Sequence, residues 1–235
     1  MNLKSLTLSK ELKHSLIAVF ILSLVFGFND GRDIFVFGLW LNNFVYVFIL
    51  VTITVLVHII VAKLVANKLG QDAGISLLSS KNKRFGEIPF SPILALVLML
   101  ISRGMLYFTA VSTIIVKKSP RLSKGFYLNE SKEALIYFWA LVSNIILIII
   151  FNFLDIKTGV LINSYFLFWN LLPIPGFIGS KIFFHNKTLY ILFLIFALLF
   201  LLLFNKVNLI LLIIMLIAAA FLVMILWILK KEYKP

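Results

Sequence analysis

Long apolar runs separated by short polar breaks organise this chain of 235 residues. A helix that crosses a bilayer needs about 20 predominantly apolar residues. Residues 16–28 are almost continuously apolar, and with the positions from Glu11 onward they predict a first helix. It ends at the polar turn Asn29-Asp30-Gly31-Arg32-Asp33. That turn has no small-residue cleavage site and apolar sequence resumes at once, so the segment does not read as a cleaved signal peptide. Residues 34–66 are apolar apart from Asn42-Asn43, which predicts an interfacial stretch holding Trp40 and then a second helix over 43–66. Further helices are expected over 134–154, 160–172, 189–204 and 209–229, the last two joined by a tight turn, Asn205-Lys206-Val207-Asn208.

One apolar run departs from this pattern. Residues 92–102 are too few to span before Arg103-Gly104 interrupts them, and a run of that length reads as re-entrant, interfacial or buried. Residues 105–116 are rich in aromatic and β-branched types, which favour extended structure. Strands inside a bilayer must have their backbone satisfied by protein. The expectation is therefore an all-α polytopic membrane protein with about six transmembrane helices. Between its second and third helices lie a short re-entrant helix and a β-hairpin. Nothing divides the chain into repeats or linked parts, so 1–235 reads as one domain ending in a C-terminal helical hairpin over 185–235.

Composition strengthens the membrane reading. Hydrophobic residues make up 62% and charged residues 13%, with a mean hydropathy of +1.10. Soluble domains hold about 45–50% apolar and about 25% charged residues. Such a balance excludes a water-soluble globular fold, and disorder needs low hydrophobicity. There is no cysteine, hence no disulfide framework, thiolate metal site or thiol nucleophile. The net charge of +13 would suggest nucleic acid on a soluble protein. On a membrane protein, basic residues hold loops on the cytoplasmic side, so no nucleic-acid partner is expected. With six crossings starting inside, 18 basic residues fall inside, counting Arg103, and Arg32, Lys157 and Lys206 fall outside, with Lys63 within a helix. Had residues 92–102 crossed, the basic loop at 117–124 would lie outside and every later loop would change sides. Both termini are thus expected in the cytoplasm.

Ionisable groups deep in a bilayer are candidate functional residues by default. His58 lies about two turns from the inner end of the second helix, and Lys63 is placed to snorkel to the interface. A lone histidine here also fits a neutral ring bonded to a neighbouring helix. Asn144 and Asn163 are amides in apolar surroundings, whose ordinary role is bonding between helices. Asn170-Leu171-Leu172-Pro173-Ile174-Pro175-Gly176-Phe177-Ile178-Gly179 breaks a helix near the inner face, either as a plain exit turn or as backbone lining a cavity.

Together these segments resemble the site-2 protease family of intramembrane zinc metalloproteases. There a transmembrane helix carries H-E-x-x-H: two histidines one turn apart bind zinc, and the Glu is general base for the zinc-bound water. The run from Leu56 through His58 and Lys63 to Ala66 is similar to that motif with its L-V-A continuation. Residues 170–179 are similar to N-x-x-P-x-P-x-L-D-G, whose Asp is the third ligand, and 140–144 to the G-P-x-x-N of an intervening helix. The likeness runs over about 43–184 and implies the family fold there. Asn144, Asn170, Pro173 and Pro175 then become the residues that would hold substrate. The departures carry as much weight. His58 matches the first zinc ligand, but Ile59 replaces the Glu base, Ala62 the second histidine and Ile178 the aspartate. Catalytic zinc needs about three protein ligands and an open position. The implied function is a site-2-protease-like pseudoprotease of the regulated intramembrane proteolysis type. It would bind transmembrane segments of other proteins without cleaving them, and no cofactor is expected. The alternatives are an active zinc metalloprotease with a non-standard site, using His58, His185 and a further acid for which Asp155 is the nearest by type though expected at the outer face, and a transporter or channel subunit; His14, the remaining histidine, lies at or before the start of the first helix. Few charged residues in the helices and no inverted repeat count against the last.

Overall fold

The computed structural model describes residues 3–82, 86–118 and 130–204. Its helices are α1 (Leu3–Gly27), α2 (Phe37–Lys68), α3 (Phe90–Ile101), α4 (Glu130–Phe153), α5 (Lys157–Leu171), α6 (Ile178–His185) and α7 (Lys187–Leu203). Its strands are β1 (Gln71–Leu77), β2 (Ser80–Asn82), β3 (Gly86–Ile88) and β4 (Ser112–Lys118). The expected helix over 209–229 and the turn before it lie outside the described residues. Two compact units divide at His185: Met1–His185 and Asn186–Pro235. In the second unit, Asn186 caps α7 by accepting the Leu189 N–H at 3.0 Å.

Two helices, α2 and the Lys132–Phe153 part of α4, are long and apolar enough to cross a membrane. At about 1.5 Å per residue, the 32 residues of α2 reach about 48 Å, beyond a hydrocarbon core of about 30 Å. The 15 residues of α5 reach only about 22 Å. One stripe of α2, at Val47, Leu50, Val51, Thr54, Val55, His58, Ile59, Ala62 and Ala66, is buried, and the spacing of three and four residues is that of a single helical face. The other face exposes Ile49, Ile53, Leu56, Ile60 and Leu64.

The second helix starts earlier than its polar break suggested. Asn42-Asn43 lies inside α2, with Asn42 exposed on its surface. Asparagine lowers helix propensity by well under about 1 kcal/mol, while Trp40 gains from being helical. Its indole N–H donates to the Phe28 carbonyl at 3.2 Å, and its ring stacks on Phe44, one turn on, at 5.5 Å. The first helix likewise begins at Leu3 and not near Glu11.

The β region also differs from a hairpin within 105–116. Only Ser112–Lys118 forms a strand, and its antiparallel partner β1 comes from the far side of α3, in register from Gln71↔Lys118 to Leu77↔Ser112. A separate short hairpin pairs β2 with β3. Residues 105–110 do not pair as a strand because their polar groups bond elsewhere. The Tyr107 carbonyl accepts from the Trp169 indole at 2.6 Å, the Thr109 hydroxyl donates to the Tyr165 carbonyl at 2.9 Å, and the Ala110 carbonyl accepts from the Ser91 hydroxyl.

The depth of this excursion is a further departure. A Cβ on Gly74 of β1 would lie 2.3 Å from the Glu11 carboxylate, so the sheet abuts α1 at Glu11. The end of α3 reaches the opposite end of α1: the Asn29 amide reaches the Arg103 carbonyl at 3.5 Å, and a Cβ on Gly104 would meet Asn29 at 2.9 Å. Sixteen residues of helix separate Glu11 from Gly27, about 24 Å, and Asn29 lies two residues beyond. The chain therefore climbs beside α1 as α3 and returns as an extended segment, with Tyr107 stacked on Phe26 at 5.0 Å. Arg103, grouped by sequence with the residues of the inner end, lies at the Asn29 end.

Candidate functional site

The candidate site is built on helices α2, α4 and α5. His58 is fixed from two sides. The Asn144 amide of α4 lies 3.1 Å from its Nδ1, and the Phe166 ring of α5 meets its ring edge-on at 5.2 Å. Asn144 Nδ2 also donates to the Ala140 carbonyl at 3.2 Å, one turn back on its own helix. A carbonyl only accepts, so the NH2 side of the amide faces it, and the second amide proton points at Nδ1. The Asn144 amide thus lies between the Ala140 carbonyl and His58 Nδ1.

One turn toward the N-terminus of α2, Thr54 accepts from the Asn163 amide at 3.0 Å and donates to the Leu50 carbonyl at 3.0 Å. Thr54 meets Asn163 and His58 meets Phe166, so α2 and α5 run side by side in the same direction. One turn further on, that register carries Asn170 to the level of Ala62. Asn170 donates to the Phe166 carbonyl at 3.0 Å. The Oδ1 atoms of Asn144, Asn163 and Asn170 are buried without a partner among the described residues. The seam is therefore a line of amides and one imidazole between tightly packed helices.

The residues expected to hold substrate fall into two groups. Asn144 and Asn170 are fully buried, whereas Pro173 and Pro175 are exposed on the turn between α5 and α6. Gly176 completes that turn at a φ of 95°, a conformation that side-chain-bearing residues rarely adopt. The next helix starts hard against the turn, because a Cβ on Gly179 would lie 2.1 Å from the Leu171 carbonyl oxygen. Ile59, Ala62 and Ile178, the three replaced positions, are all buried apolar side chains.

The other acids and histidines stand apart from this seam. His185 Nε2 lies 3.3 Å from Glu133 Oε2, pairing α6 with the start of α4. Asp155 occupies the α4–α5 turn at a φ of 54°, and His14 lies on α1. Among the described residues, no three His, Asp or Glu side chains stand close enough to hold a metal ion. Catalytic zinc needs about three protein ligands, and His58 belongs to no such group among the described residues.

Two ionic features went unread in the sequence. Lys63, expected to snorkel, pairs with Glu11 at 2.9 Å across α1 and α2. Lys181 donates to Thr113 Oγ1 at 2.8 Å and to the Ile114 carbonyl at 2.5 Å, tying α6 to β4. Its ammonium also sits 5.3 Å from the centre of the Tyr137 ring. Burial pushes the Lys181 amine down to about 8, with the Glu133 charge opposing that shift. The spacing of Lys181 and His185 on α6, one turn apart like Glu133 and Tyr137 on α4, was the available signal.

No protein-family model, curated protein or solved structure matches the chain. What the fold defines is a helical protein with two helices able to cross a membrane, a small antiparallel sheet and a polar seam in its core.

Proposed function

We propose that this chain is a multi-pass membrane protein that keeps the frame of a site-2 protease without its chemistry, and that binds transmembrane segments of other membrane proteins. The observation that carries the reading is the state of His58. The first ligand position is present, yet its nitrogen is turned to Asn144, and Ile59, Ala62 and Ile178 are buried apolar side chains. An isoleucine at position 59 can neither accept a proton nor orient a water. The large apolar side chains exposed along α2 suit a lipid-facing surface.

In this reading α1, α2, α4, α5, α7 and residues 209–229 cross, and both termini are cytoplasmic. With Arg103 moved to the outer end, 17 basic residues lie inside and 4 outside, still a decisive bias. The exposed turn at Pro173-Ile174-Pro175 is where a partner segment would meet the protein, since Asn144 and Asn170 are sealed in the core.

The test compares the purified chain with His58→Ala, reading zinc content and cleavage of a helical substrate. No stoichiometric zinc and no cleavage are expected from either. Equimolar zinc in the unmodified chain that disappears in His58→Ala would overturn the reading. Since the chain has no cysteine, single cysteines at 121 and 206 report topology cleanly. Labelling of both from one side would refute six crossings.

A further inference from the structure

The tip of the α3 excursion combines features that the proposed function leaves unused. Arg103 is exposed and adopts a φ of 53°, followed by Gly104 at 76°. This left-handed conformation is cheap for glycine, tolerated by asparagine and unfavourable for arginine. Strain of this kind is an observation from which a functional role can be argued. The tip is held in place, because Asn29 bonds the Arg103 carbonyl and the Gly104 backbone packs on Asn29. The neighbours of Arg103 along the chain are exposed apolar side chains: Ile101 is 76% exposed, Met105 72% and Leu106 57%. The acid nearest in sequence to the Asn29 anchor, Asp30, is paired with Arg32 at 3.4 Å. Among the described residues, no carboxylate pairs with Arg103. The aromatic cluster of Phe35, Phe37 and Trp40 stands at the same end, joined to it through the Trp40 bond to Phe28.

An exposed arginine on an anchored tip, among exposed apolar neighbours and at the end that carries an aromatic cluster, matches the layering of a membrane interface. There apolar groups contact acyl chains, aromatic rings sit at headgroup level, and a cation meets phosphate. Arginine presents a planar fork of N–H donors that suits phosphate oxygens. We propose that the Arg103 tip is a binding site for the phosphate of an anionic phospholipid, in the leaflet at the Asn29 end of α1. This rests on the membrane reading above, and it adds an anchor that holds the excursion at the interface.

The test uses the full-length chain in nanodiscs of equal phosphatidylcholine and phosphatidylglycerol, followed by native mass spectrometry of the lipids retained on delipidation. The unmodified chain and Arg103→Lys should retain phosphatidylglycerol preferentially. Arg103→Asn should lower that preference about fivefold, the effect of removing one basic side chain from an anionic surface. The same variant relieves the left-handed strain, so its thermal midpoint should hold or rise while lipid retention falls; loss of both together would indicate a merely structural residue. Equal retention of the two lipids by the unmodified chain, or an unchanged preference in Arg103→Asn, would overturn the proposal. Displacement of the lipid by inorganic phosphate alone would also overturn it, since the site would then serve a free anion. Failure of the folded chain to enter nanodiscs of any composition would instead refute the membrane reading itself.

Discussion

The contact between His58 and Asn144 makes a sharp prediction about the energetics of the core. Both side chains are buried, His58 at 3% exposure and Asn144 at 0%, and the amide links α4 to α2 through a 3.1 Å contact. Replacing Asn144 by Leu takes the amide away from the buried Nδ1 of His58, and an orphaned buried polar group costs about 1–3 kcal/mol. Replacing His58 by Leu likewise strips the amide of its acceptor. Replacing both removes the polar pair together, and well-packed apolar pairs can be nearly neutral in place of a hydrogen bond. The double variant should therefore lose less stability than the sum of the singles. Hydrogen bonds between membrane helices couple by about 0.6 kcal/mol on average and up to about 1.7. The fixed geometry here, with Asn144 also anchored on Ala140 and the ring held by Phe166, points to the upper half of that range. Unfolding of the four proteins from mixed micelles, followed by far-UV circular dichroism, gives the coupling energy as a double-mutant cycle. A coupling below about 0.3 kcal/mol would refute the claim that the pair is a specific interaction, because independent sites add to within roughly that margin.

Three further outcomes are expected of the same core and of the sheet beside it. Restoring the three replaced positions together, as Ile59→Glu, Ala62→His and Ile178→Asp, should recover zinc binding measured on purified protein; each alone should lower the thermal midpoint by burying a polar group without partners. Persistent absence of zinc in the triple variant would show that the frame does not bring these positions together. Gly179→Ala should destabilise by more than the ordinary effect of a point substitution, about 1 kcal/mol, because its Cβ would lie 2.1 Å from the Leu171 carbonyl oxygen; an unchanged midpoint would contradict that close approach. Lys181 titrates near 8 when folded against an ordinary value of 10.5, so the unfolded chain binds more protons between these values and stability should rise with pH across that window. Lys181→Met should abolish that rise, and an identical pH profile in both proteins would count against it.

Much of the fold is legible as hydropathy, because burial in helices leaves long apolar runs. The third, fourth and seventh helices of the structure, α3, α4 and α7, lie within a few residues of the positions the pattern assigns, as does α5. What the pattern misjudges depends on contacts distant in sequence. Asn42-Asn43 reads as a break because a polar pair interrupts an apolar run, yet the helix face it occupies is exposed and the stacking of Trp40 on Phe44 needs a continuous helix. The residues from 105 onward look like one arm of a local hairpin by their β-branched content. Hydrogen bonds from Trp169 and to Tyr165, some 60 residues away, hold the first part as unpaired extended chain and leave the pairing to residues 112–118.

The candidate site divides along the same line. His58 and Asn144 stand out locally, as polar residues in apolar helices, and the structure joins them; their partnership is a tertiary fact spanning 86 residues. Arg103 shows how far a local rule can mislead. A basic residue after a run too short to span belongs, by charge bias, with its basic neighbours. Nevertheless, 12 residues of α3 climb about 18 Å, and the chain before and after them covers the rest of the way to Asn29. A segment can thus reach the far end of a neighbouring helix without changing the sidedness of anything after it, provided that it returns as extended chain with protein partners for its backbone. Charge bias then misplaces the residue at the tip, which lies at the Asn29 end of α1.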